Sequence, residues 1–203
     1  MQHKYNEWGD YMDGIKIIDE KYVFLGSYPQ NGTVKEPIKW RIIKSEDNIL
    51  TLITDTILFN DDFDIHYSDY ERSKIRRIIH EDFIPYAFTE EELSCILETQ
   101  LEGFNDKVYI PSLEEVKGIS REERIRKVTP YAVSKKASSY PAFTKKEKVL
   151  EGNGWYWLRT PYKPPYDPHR PNHVYYISYS GSIEERNVWG YDIGVVLMIR
   201  IKI

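Results

Sequence analysis

Three kinds of residue in this chain could carry chemistry: one thiol, a few histidines near carboxylates, and an arginine set among aromatic rings. Cys95 is the single cysteine. A nucleophilic thiol needs a partly exposed, electropositive setting and a nearby base. Cys95 instead lies between Phe88 and Leu97 in an apolar helical pattern, so the expectation is a buried structural residue. One thiol also excludes an intrachain disulfide and a cysteine-based zinc site. His169 and His173 have a spacing that binds zinc when it falls on one helical turn. Pro168 and Pro171 argue against a helix there, so no metal is expected. Asp55, Asp61, Asp62 and Asp64 crowd the stretch TDTILFNDDFDIHYSD. It lacks the glycine and terminal glutamate of an EF-hand loop, which leaves either a loop Ca²⁺ site or a solvated acidic run. Asp192 and Glu184 with His173 would form an acid–base set only if they converged in a pocket. No P-loop, dinucleotide glycine motif, serine-hydrolase elbow or HExxH is present, and no cofactor is called for.

Residues 154–181, GWYWLRTPYKPPYDPHRPNHVYYISYSG, hold two Trp, six Tyr and five Pro. Trp155 and Trp157 alternate along a strand and share one face, which points to core. Arg159 is expected to be buried and paired with carboxylates or carbonyls, since a guanidinium makes several planar hydrogen bonds. The five prolines fall between 161 and 171 and restrict the backbone before any ligand arrives, so less entropy is lost on binding. Tyr162, Tyr166, His169, Arg170 and His173 are therefore expected to form a ligand-binding loop. Arg186, Trp189 and Tyr191 extend it from residues 184–192.

The elements that must position these residues are legible in outline. Tyr22–Leu25, Ile38–Ile43 and Asn48–Ile53 read as a β-meander, with a turn at Ser45–Asp47. Ser68 to Glu71 and Thr89 to Glu92 read as capping boxes. Ile75, Ile78, Ile79 and Phe83 follow the first on one helical face, and Pro85 is expected to end that helix. Ser112, Ser120 and Thr129-Pro130 open further short helices. Strands return at 155–158, 174–179 and 195–203. Residues 1–21 read as an N-terminal arm or an added strand, and 22–203 as a single α+β domain with a helical middle.

The order of the motifs FLGSYPQ, IKWRII, SKIRRIIHEDFIPYAFTEEEL, DKVYIPSLEEV, TPYAVSKKA, WYWLRTP and SGSI resembles the DUF6273 family, a bacterial domain of unknown function. The resemblance runs from about Tyr22 to the C-terminus, and its most specific piece is Trp155 to Pro161. It implies a C-type-lectin-like closing segment, similar to relatives of the formylglycine-generating enzymes. Those enzymes hold copper through cysteines, and one cysteine gives that chemistry no support here. The chain departs from the family pattern at Gly194–Met198, where a GVRPA-like end is usual, and in the long insert from Tyr162 to His173.

Length, charge and composition bound the function. The chain has 203 residues, a net charge of −4, 17 Tyr and 5 Trp. There is no long apolar run and no secretory h-region, so a cytoplasmic location and no membrane partner are expected. The acidic balance argues against double-stranded nucleic acid. The preferred reading is a non-catalytic domain that binds a protein or peptide, or a glycan, through its Pro- and aromatic-rich loop. The resemblance implies a bacterial origin; a phage or mobile-element origin with a host protein as target is a further reading that no residue carries. The alternatives are a hydrolase built on Asp192, Glu184 and His173, and a single-strand nucleic-acid binder that stacks bases on Tyr and Trp.

Overall fold

Strand-forming residues dominate both ends of the chain, and they build two curled sheets with short helices between them. The computed structural model describes residues 11–12, 15–17, 19–163 and 172–203. The first sheet is an antiparallel meander of Tyr11–Met12, Ile15–Ile17, Tyr22–Pro29, Lys35–Glu46 and Ile49–Thr54, closed by Met198–Lys202 beside Ile49–Thr54. Ile15 is buried, so this stretch of the N-terminal segment works as an added strand. The hairpin turns at Asp47-Asn48, both at positive φ (51° and 60°), one to two residues later than Ser45–Asp47. Two successive positive φ values suit the right-handed twist of the flanking strands, and Asp and Asn tolerate them.

The second sheet runs Ile183–Asn187, His173–Ile177, Tyr156–Pro161, Gly194–Val195, Phe59–Asn60. All its pairings are antiparallel except Tyr156–Pro161 with Gly194–Val195. The expected strand 195–203 is in fact two strands. Gly194–Val195 belongs to the second sheet and Met198–Lys202 to the first. The chain crosses from one sheet to the other at Val196-Leu197, where the Leu197 N–H donates to Thr54 Oγ1 at 3.1 Å and its carbonyl accepts the Thr54 N–H at 2.9 Å. Residues 49–60 make the same crossing. The core fills the angle between the sheets, with Trp40, Ile53, Ile57, Phe63, Trp157, Val195 and Leu197 fully buried.

The helices of the middle pack against both sheets, Ile84–Ala87 against Tyr22–Pro29 and Leu113–Lys117 against Tyr156–Pro161. Capping boxes at Thr89/Glu92 and Ser112/Glu115 open Glu90–Ser94 and Leu113–Lys117, and Thr129 with Pro130 at the first position opens Pro130–Ser134. The first helix begins later than Ser68. Asp69 caps a single tight turn, Tyr70–Arg72, and Ser73 then caps Lys74–Ile78. Pro85 does not stop this helix. A wide π turn at Ile79–Phe83 precedes it, and Pro85 sits near the start of Ile84–Ala87. A missing N–H is harmless there. Ile75, Ile79 and Phe83 still reach the core. Among the described residues no helix is long and apolar enough to cross a membrane.

Candidate functional site

The strand Tyr156–Pro161 is buried on both faces, because Tyr156, Trp157, Leu158 and Arg159 are all inaccessible. Trp157 donates its indole N–H to the Asp61 carbonyl at 2.9 Å and meets Phe63 edge-on. Trp155 lies just before the strand, is half-buried and packs against Tyr179. Arg159 bonds through Nε and Nη1. Nη1 donates to Glu115 at 2.6 Å and to the Ile110 carbonyl at 2.8 Å, and Nε reaches Glu102 at 3.0 Å. Burial opposes its charge, but the two glutamates outweigh burial and hold its pKa above the ordinary arginine value. Both side chains therefore stabilise the fold.

The acidic run holds neighbouring chain segments in place. Asp55 pairs with Arg41 at 2.7 Å and lies 3.5 Å from Lys39. Asp61 and Asp62 share the Lys74 ammonium, and Asp62 also accepts the Gly190 N–H at 2.9 Å. Asp64 accepts backbone N–H groups from His66, Tyr67 and Lys74. Burial raises its pKa, but these bonds prevail and leave it below the ordinary aspartate value. Among the described residues no three His, Cys, Asp or Glu gather in a way that could hold a metal. The Ca²⁺ reading of this run therefore has no geometric basis within them.

These bonds fix the path of residues 60–67 beside residues 187–192. The Phe63 N–H donates to the Val188 carbonyl at 3.1 Å, and the Trp189 indole N–H donates to the Ile65 carbonyl. The Asn60 amide donates to the Tyr191 carbonyl at 2.6 Å, and Ser138 donates to Asp192 at 2.9 Å. Gly190 lies so close to the Trp157 ring that an added Cβ would come within 2.9 Å of it. The backbone is thus held, and the Trp189 ring is tethered at its N–H, while much of each large side chain faces solvent. Trp189 is 58% exposed, Tyr191 63%, Ile65 56% and Tyr67 49%. Ile65 and Tyr67 were hidden in the sequence by the surrounding aspartates, which read as a solvated loop.

The other expected site residues spread around the adjoining hairpin. The Tyr162 N–H donates to the His173 carbonyl at 2.9 Å, and its ring meets Tyr175 edge-on at 5.3 Å. His173 Nδ1 contacts Glu185. Arg186 pairs with Asp192 at 3.3 Å. Tyr166, His169 and Arg170 lie outside the described residues. The acid–base set does not assemble: Glu184 pairs across the strands with Tyr176, an odd number of residues from His173, so the two project from opposite faces. Glu184 accepts the Tyr176 hydroxyl at 2.7 Å, and Asp192 is held by Ser138 and Arg186. Cys95 is half-buried rather than fully buried, and its sulfur lies 3.4 Å from the Glu91 carbonyl at the end of Glu90–Ser94.

Comparison with known proteins adds a family and nothing on activity. No curated protein and no solved structure matches the chain. The model of the domain of unknown function DUF6273 matches residues 47–201, a span that takes in the helical middle, the strand around Trp157 and Arg159, and the exposed 187–192 segment. The chain belongs to the DUF6273 family.

Proposed function

We propose that this protein is a non-catalytic binding domain whose partner, a protein or peptide, docks on the surface formed by residues 60–67 and 187–192, beside the hairpin that carries Tyr162 and His173. One observation carries the reading: Trp189 and Tyr191 are mostly exposed while the segment is held at the Gly190 N–H by Asp62, at the Tyr191 carbonyl by Asn60, and at the Trp189 indole N–H by the Ile65 carbonyl. Large aromatic side chains on a preorganised backbone make interface anchors, because they bury wide area with little entropy to lose. A cytoplasmic location is part of the reading and favours a protein over a glycan. The division of Glu184, His173 and Asp192 among separate partners supports binding over hydrolysis.

The test compares wild-type protein with a Trp189→Ala/Tyr191→Ala variant in affinity capture from the cells that make it. Loss of an anchor costs about 2 kcal/mol or more, roughly thirty-fold in affinity. The variant should melt like wild type and lose the captured polypeptide. Equal capture by both proteins would sink the reading.

A further inference from the structure

A separate concave site lies on the other side of the Phe59–Asn60 strand and does not depend on the reading above. Buried Phe59 and Phe83 form the floor of a cleft of about 520 Å3, with Tyr28, Tyr86 and Tyr131 around it. Tyr86 and Tyr131 stand nearly perpendicular to Tyr28, at 88° and 83°, with ring centroids 5.7 and 5.8 Å away. Phe83 and Phe59 lie 5.0 and 6.0 Å from the same ring. Glu81 and Asp82 complete the lining from exposed positions.

Local sequence explains the arrangement. Gly26, at φ +69°, sits where the pairing of Tyr22–Pro29 with Lys35–Glu46 slips, just before Tyr28. The π turn Ile79–Phe83 carries Asp82 to the rim and Phe83 to the floor, and such turns recur at functional sites. Pro130 opens the helix that presents Tyr131.

Ring faces are the negative side of the aromatic quadrupole and attract cations. An aromatic lining with the carboxylates of Glu81 and Asp82 beside it suits a positive ligand. Lys35 Nζ lies 3.8 Å from the Tyr86 centroid and Lys135 Nζ 5.4 Å from that of Tyr131, so these rings already attract ammonium groups, and a bound cation would use the ring faces that the two lysines leave open. Burial, then Tyr131, Tyr86 and Asp82, push the Tyr28 pKa well above the ordinary phenol value. Burial opposes either sign of charge, and of these causes only the Asp82 carboxylate would also favour a cation. A primary ammonium is strongly hydrated, whereas a methylated one offers methyl groups to the apolar floor.

We propose that this cleft binds a quaternary or methylated ammonium group, held by Tyr28, Tyr86 and Tyr131 and by the carboxylates of Glu81 and Asp82. The ammonium could belong to a small molecule or to a methylated lysine side chain. The test is an NMR titration of the intact protein with choline and with its uncharged isostere 3,3-dimethylbutan-1-ol. Choline should shift the signals of Tyr28, Tyr86 and Tyr131, and the isostere should bind about ten-fold more weakly. Asp82→Asn and Tyr86→Ala, both at exposed positions, should each weaken choline several-fold at an unchanged melting temperature. A trimethyllysine peptide that binds more tightly than choline identifies the side-chain source, and equal binding identifies the small molecule. Trp189→Ala/Tyr191→Ala should leave choline binding intact, so this proposal and the docking surface fail separately. Equal binding of choline and its isostere, or no shift at the three tyrosines, overturns the proposal.

Discussion

Buried charge at Asp106 gives the clearest single-residue test of the fold. Its carboxylate is fully buried, 2.7 Å from Arg76 and 3.0 Å from His80. Burial raises its pKa, yet His80 and Arg76 outweigh burial and hold it below the ordinary aspartate value. A depressed folded pKa stabilises the protein above the unfolded value of about 3.9. That contribution is lost as pH falls below about 4 toward the folded pKa. Asp106→Asn should therefore cost about 3 kcal/mol at neutral pH, since it strands the Arg76 charge, and the gap from wild type should narrow in acid. Denaturant titrations at neutral pH and near pH 3 would show this, and a gap that stays constant would contradict it. Trp157→Ala should cost about 3–5 kcal/mol and lower the melting temperature sharply. The sequence shows Trp157 and Arg159 as fold residues through their place in a strand. It cannot show Arg159's partners, because Glu102 and Glu115 lie more than forty residues away.

Elements were legible wherever a local rule decides them. The Thr89/Glu92 and Ser112/Glu115 boxes and the Thr129-Pro130 start need only their own side chains, and each begins a helix as expected. The rule fails where tertiary packing decides. Ser68 precedes a tight turn because the Ser73 hydroxyl supplies the real cap, and the π turn lets the chain run through Pro85. The C-terminal apolar run gives no sign of where it changes sheets, since residues 193–199 are buried without a break across the crossing. Gly26 tests how local geometry supports the tyrosine cleft. An added Cβ there would lie 2.6 Å from the Phe88 ring, at a φ that side chains avoid. Gly26→Ala should cost roughly 1–3 kcal/mol in a denaturant titration, and unchanged stability would mean that the bulge can relax without loss.

At the scale of the whole molecule, two sheets and the chain crossings at 49–60 and 194–202 form a rigid frame. That frame holds 60–67 against 187–192, a pairing between segments over a hundred residues apart. Composition pointed to Trp189 and Tyr191, but Ile65 and Tyr67 join them only through the fold. The docking surface is the central claim, and site-specific photocrosslinking tests it most directly. A photoreactive phenylalanine analogue would replace Tyr191 in one protein and Phe143, a ring even more exposed and far in sequence from 187–192, in another. Irradiation in the native cell should give a defined crosslinked product from position 191 and none from 143. Crosslinking from 143 with none from 191, or the same products from both, would contradict the account.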